Sequence, residues 1–139
     1  MGYRCFLIYI FASAFCALTL ACGLEELTPR YKNGIEAINS QLTSYVSYSA
    51  LKISAARSST SGERTSVNLD VIITDAQIKD FNKDSLAALS VRISTTVKAN
   101  ITNLNNYDWL SITFLRSDGN NPSDSTTDNT YVFRPTEIK

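Results

Sequence analysis

An α+β fold is predicted, with two helix-hairpin units in the order αββ-αββ, and three features of the chain predict it. Apolar residues recur at three- and four-residue steps over residues 35–45 and 86–104, the stripe of a helix with one buried face. Over residues 51–56, 67–73, 109–116 and 131–134 the pattern reads as strand, with period-two alternation clearest in the first two. Polar, turn-forming stretches at 58–64 and 117–129 separate the members of each strand pair. Together these give a four-stranded antiparallel sheet with two helices on one face.

The chain opens on an address rather than on this fold. Residues 5–22 (CFLIYIFASAFCALTLAC) follow Arg4 and run apolar for most of their length, ending in small residues. A basic start, an apolar middle and a small-residue exit are the layout of a secretory signal. The closing Leu18-Thr19-Leu20-Ala21-Cys22 resembles the lipobox of bacterial lipoprotein precursors. Ala21 matches the small residue before the cysteine, while Thr19 stands where leucine is usual. The resemblance implies that the Cys22 thiol takes a diacylglyceryl group, that the signal is cut before it, and that the new amino terminus is acylated. Several acyl chains on one site hold a membrane stably, where a single chain binds only marginally. Two other readings stay open: plain cleavage after Ala21 with secretion, or an uncut segment whose length is at the short end for a span. The expected division is a signal over 1–21, a lipidated tether over 22–32 and a single domain over 33–139.

Within the domain, Pro29 breaks any early helix. Ile35, Ile38, Leu42 and Tyr45 mark the first helix. Leu51, Ile53 and Ala55 alternate with Lys52, Ser54 and Ala56 as a half-buried strand, and Val67, Leu69, Val71 and Ile73 form its hairpin partner. Asp80, Asn82 or Asp84 is placed to cap the next helix. Leu86, Leu89, Ile93, Val97, Ile101 and Leu104 mark that helix; the rival reading of 90–97 as a strand rests on its β-branched residues. WLSITFLR (109–116) is the third strand and Tyr131 to Arg134 the fourth.

Residues 42–58 lie over 101–117 without a gap: Thr43 meets Thr102, Tyr48 meets Tyr107, Leu51 meets Leu110, Ile53 meets Ile112, and Arg57-Ser58 meets Arg116-Ser117. Helix end falls on helix end and strand on strand, as expected of a repeated helix-hairpin unit too small to bury its own face. Tyr48 and Tyr107 are expected to close the gap between helix end and sheet.

Composition narrows the chemistry. All three cysteines (Cys5, Cys16, Cys22) lie in the signal or at its end, so the domain holds together without a disulfide. The chain has no histidine, which removes Ser-His-Asp and Cys-His pairs, histidine metal sites and the commonest general base. Acidic and basic residues are equal at 13 each, with none of the Lys/Arg clustering that nucleic acid requires. Asp118, Asn120, Asp124 and Asp128 offer oxygen ligands, but their spacing is not that of a calcium loop. No metal site and no cofactor is expected.

If Leu51, Ile53, Ala55, Leu110, Ile112 and Phe114 face the helices, the other sheet face carries Lys52, Ser54, Asn68, Asp70, Ile72, Trp109, Ser111, Thr113, Leu115 and Val132. On it Trp109, Leu115, Ile72 and Val132, with Lys52 beside them, are the candidate binding face, because tryptophan is enriched where partners bind. The expected function is that of a cell-envelope lipoprotein, tied to the membrane through Cys22, acting as a non-catalytic binding or structural module for a protein or glycan. The alternatives are a small-ligand carrier or carboxylate-dependent enzyme in the envelope, or a soluble secreted protein.

Overall fold

A computed structural model describes residues 27–59, 64–78, 83–117 and 129–139. The signal segment with Cys22, the cap candidates Asp80 and Asn82, and Asp118, Asn120, Asp124 and Asp128 lie outside the described residues. The elements are α1 (Ile35–Thr43), β1 (Ala50–Ser58), β2 (Ser66–Thr74), α2 (Lys83–Asn100), β3 (Trp109–Leu115) and β4 (Thr130–Phe133), with 3-10 turns at Leu104–Asn106 and Pro135–Glu137.

The four strands form one sheet in the order β1-β2-β3-β4. It is mixed, which corrects the antiparallel expectation. β1 pairs antiparallel with β2 and β3 antiparallel with β4, but the central pair β2–β3 is parallel, with Val71 opposite Ile112. The reason lies in the crossover. β2 advances about 30 Å over its nine residues, and the 18 residues of α2 run back about 27 Å. The chain therefore re-enters the sheet at the end where β2 began, as a helical crossover allows and a tight hairpin does not.

That geometry also limits the repeat. β1 and β3 begin 59 positions apart, in register with the sequence match. Since β1 is antiparallel to β2 and β2 parallel to β3, β1 and β3 run in opposite directions. Each is nevertheless followed by its hairpin partner on the same side, with its apolar residues on the same buried face. The two hairpins have opposite hand, and no rotation carries one αββ unit onto the other. Only the strand starts keep the spacing of the sequence match; the helix ends, Thr43 and Asn100, stand 57 positions apart.

One core fills the space between sheet and helices. Leu69, Val71 and Ile73 of β2 and Leu110, Ile112 and Phe114 of β3 are 0–1% exposed. Ile38 and Leu42 of α1 and Leu86, Ile93 and Val97 of α2 pack onto them. Phe114 meets Tyr131 edge to face, the ring centroids 6.2 Å apart. Buried Ser90 and Ser94 complete the inner face of α2; each hydroxyl donates back to a carbonyl of its own helix, of Ala87 and Val91, at 2.7 Å. Such small residues leave room for a helix to approach a neighbouring layer closely. The α-helix ends at Asn100, short of the expected stripe, and Ile101 and Leu104 are buried beyond its end. α1 likewise ends before Tyr45, whose hydroxyl pairs with Thr96 at 3.0 Å while its ring lies 4.0 Å from the Arg92 guanidinium. At the start of α1, Gly34 has φ +79°, a left-handed backbone that suits a residue without Cβ.

The segment from Leu27 to Lys32, expected as the end of a tether, is strapped to the domain. The Asn103 carboxamide accepts from the Arg30 amide at 2.8 Å and donates to the Thr28 carbonyl at 3.0 Å. Thr102 N donates to Arg30 O at 2.9 Å, and Lys32 N to Asn100 O at 2.8 Å. Tyr107, 4% exposed, donates its hydroxyl to the Leu27 carbonyl at 2.8 Å.

Candidate functional site

The sheet face away from the helices is built by alternation. Every second residue of β2 and β3 points into the core, which leaves Asn68, Asp70, Ile72 and Thr74 beside Trp109, Ser111, Thr113 and Leu115 on the other side. Register sets the rows across it. Lys52, Ile72, Thr113 and Thr130 form one row; Ser54, Asp70, Ser111 and Val132 form the next; Ala56, Asn68 and Trp109 form a third.

All five candidate residues lie on this face, but not as one stripe. Trp109 and Val132 are diagonal neighbours at one corner, where Val132 is 57% exposed and Trp109 half-buried. Ile72 and Leu115 are diagonal neighbours toward the other end, with Lys52 exposed beside Ile72. Between the two apolar pairs runs a polar band of Asp70, Ser111, Thr113 and Thr130, in which the two threonine hydroxyls pair at 3.0 Å. Spacing along single strands showed which residues share the face; only the pairing register shows that polar residues divide it.

The electrostatics of the band are uneven. Burial pushes the Asp70 carboxyl above the usual aspartate range. Its row neighbours on either side are Ser54 and Ser111, so no second carboxylate stands beside it to share a proton as catalytic pairs do. In the next row Asn68 lies opposite Trp109, and its Oδ1 is buried without a hydrogen-bond partner among the described residues. A buried acceptor left unpaired costs about 1–3 kcal/mol, which marks a stressed place on the face.

Two residues that pattern reading missed complete the Trp109 corner. The Arg134 guanidinium lies 5.0 Å from the centre of the Trp109 ring, in cation–π range. Arg64, just ahead of β2, joins Thr65, Ser66, Asp108, Trp109 and Arg134 around an open cleft of about 280 Å³. Asp108 is engaged in joining strands: its carboxylate accepts from the Val67 amide at 2.9 Å and its own amide donates to the Val67 carbonyl at 2.8 Å. Arg64 and Arg134 stand seventy positions apart in the chain, so no local motif announces them.

Among the described residues no group of acidic or sulfur side chains is placed to hold a metal ion, and no helix is long and apolar enough to cross a membrane. No protein-family description matches the chain, and no curated protein or solved structure matches it.

Proposed function

We propose that the protein is a lipid-anchored component of a bacterial cell envelope, held at Cys22, whose domain binds a protein or glycan through its open sheet face without catalysing a reaction. The export segment and its lipobox-like ending support the anchor. The observation that carries the binding half is the apolar pair of half-buried Trp109 and exposed Val132, set on the hydroxyl-rich side of the sheet away from the buried core. An aromatic anchor ringed by polar groups is the usual make-up of a recognition surface. The absence of histidine and the lone position of Asp70 favour holding over turnover.

Two measurements on protein from native envelopes test this reading. Intact mass is expected to show a chain beginning at Cys22 with added acyl groups; an unmodified chain removes the anchor. Capture from the envelope by the tagged protein is expected to return a partner that Trp109→Ala loses while the thermal midpoint stays nearly constant. A large fall in the midpoint would instead make Trp109 a core residue and remove the surface.

A further inference from the structure

The cleft at the Trp109 corner has the composition of an anion site. Two guanidiniums line it against one carboxylate, and that carboxylate is committed to the Val67 amide. The ion pair of Arg134 among the described residues is loose, 3.8 Å from Glu137, with both side chains more than half exposed. Such a contact is worth little and is readily exchanged. Among the described residues no ion pair engages Arg64. An arginine stacked on an aromatic ring keeps its in-plane N–H donors free at the edge, in the fork that matches a phosphate. Thr65 and Ser66 also line the cleft. The space is small for an extended peptide, and below the usual range for drug-sized ligands; it suits one compact charged group.

The strap says where that group comes from. Tyr107 binds Leu27 two residues before β3 begins at Trp109, so the chain leaves the domain at the same end of the sheet as the cleft. Four residues lie between Cys22 and Leu27, so five Cα-to-Cα steps give a reach of at most about 18 Å. An anchor at Cys22 therefore holds this corner next to the headgroups. Tryptophan and arginine are the side chains suited to that layer, one for its amphipathic ring and the other for its charge.

We propose that the cleft of Arg64, Trp109 and Arg134 binds the phosphate of an anionic lipid headgroup, seating the domain against the membrane in one orientation. This rests on the lipid-anchor reading for the source of the phosphate, and on the geometry of the cleft for its capture.

Trp109 is the only tryptophan in the chain, so its fluorescence reads the cleft directly. The full chain and its Cys22→Ser variant are reconstituted in phosphatidylcholine vesicles with and without phosphatidylglycerol. The expected result is a Trp109 emission change specific to the anionic lipid in both proteins, reversed by sn-glycerol 3-phosphate. Arg64→Gln and Arg134→Gln, both at exposed positions, are each expected to weaken it about tenfold or more at unchanged thermal midpoint. Equal emission in the two lipids, or full response in both arginine variants, overturns the proposal. A response to glycerol phosphate in solution with none to the lipid overturns the headgroup as source. If intact mass shows no acylation while the Cys22→Ser chain still responds, the anchor alone is lost. An acylated chain without the response loses the cleft proposal alone.

Discussion

Asp75 accepts two hydrogen bonds from Ser117, one from its backbone amide at 2.7 Å and one from its hydroxyl at 2.5 Å. The same carboxylate takes the Ser49 hydroxyl at 2.8 Å, and the Asp75 amide donates to Leu115 O at 2.8 Å. One side chain thus ties the entry to β1 to the exits of β2 and β3. The parallel pairing makes this possible, because β2 and β3 end at the same edge of the sheet. Asp75 sits at φ +54°, a left-handed position that aspartate tolerates better than most residues.

Those donors hold the Asp75 carboxyl below its usual range, the Ser117 hydroxyl first among them. A depressed carboxyl contributes stability above the unfolded aspartate value and loses it as pH falls through the lower, folded value. Asp75→Ala is therefore expected to lower the thermal midpoint at neutral pH. The gap to wild type should narrow as the solution is acidified below the ordinary aspartate range, leaving the cost of alanine at a left-handed position. Asp75→Asn, which keeps an acceptor and tolerates the same backbone, should lose less. Melting curves across pH check both statements; a gap constant with pH would remove the role of the charge.

Asp70 runs the opposite way. Burial raises its carboxyl, so the ionised form weighs against the fold at neutral pH and the penalty is relieved as pH falls through the raised value. Asp70→Asn is expected to raise the thermal midpoint at neutral pH and to match wild type in acid. The same melting series reads this out with the sign reversed from Asp75, which makes the pair a mutual control.

In the core, Phe114→Ala removes a side chain that is 1% exposed and stacked edge-on against Tyr131. A loss of about 3–5 kcal/mol is expected by denaturant unfolding, the usual range for emptying an aromatic site. Ser90 tests the opposite error. It is wholly buried on the inner face of α2, and Ser90→Leu should cost about 1–3 kcal/mol through overpacking despite the gain in apolarity. A stabilised Ser90→Leu protein would mean that the layer behind α2 is loosely filled.

These residues show what pattern reading can reach. Leu69 and Ile112 lie between polar neighbours, and Val71 and Leu110 each have one, so strand identity and buried face were legible from single segments. The direction of β3 against β2 was not, because alternation is the same in either sense and the crossover route decides it. Ser90 and Ser94 escaped the α2 stripe because a small polar residue is buried by its neighbours' shape rather than by its own hydropathy. The Trp109 corner was half legible: alternation put Trp109 and Val132 on the open face, while Arg64 and Arg134 come to it only through the fold. Asn103 and Tyr107 gave no sign of the strap, since a side chain that binds backbone carries no periodicity.

The strap yields the last prediction. Tyr107 is buried and its hydroxyl ends on Leu27 O, while Asn103 both donates and accepts at Thr28 and Arg30. Tyr107→Phe keeps the ring and deletes one hydrogen bond, which should cost about 1 kcal/mol. Asn103→Ala removes two hydrogen bonds, the one from the Arg30 amide and the one to the Thr28 carbonyl, and should cost more. Local release of the strap should exceed global unfolding in both, so amide exchange at Arg30 and Lys32 is expected to quicken before exchange in β2 and β3 does. If the strap and the central strands quicken together, residues 27–32 belong to the cooperative unit of the domain. The position of Leu27 relative to the Trp109 cleft would then be fixed as firmly as the sheet itself.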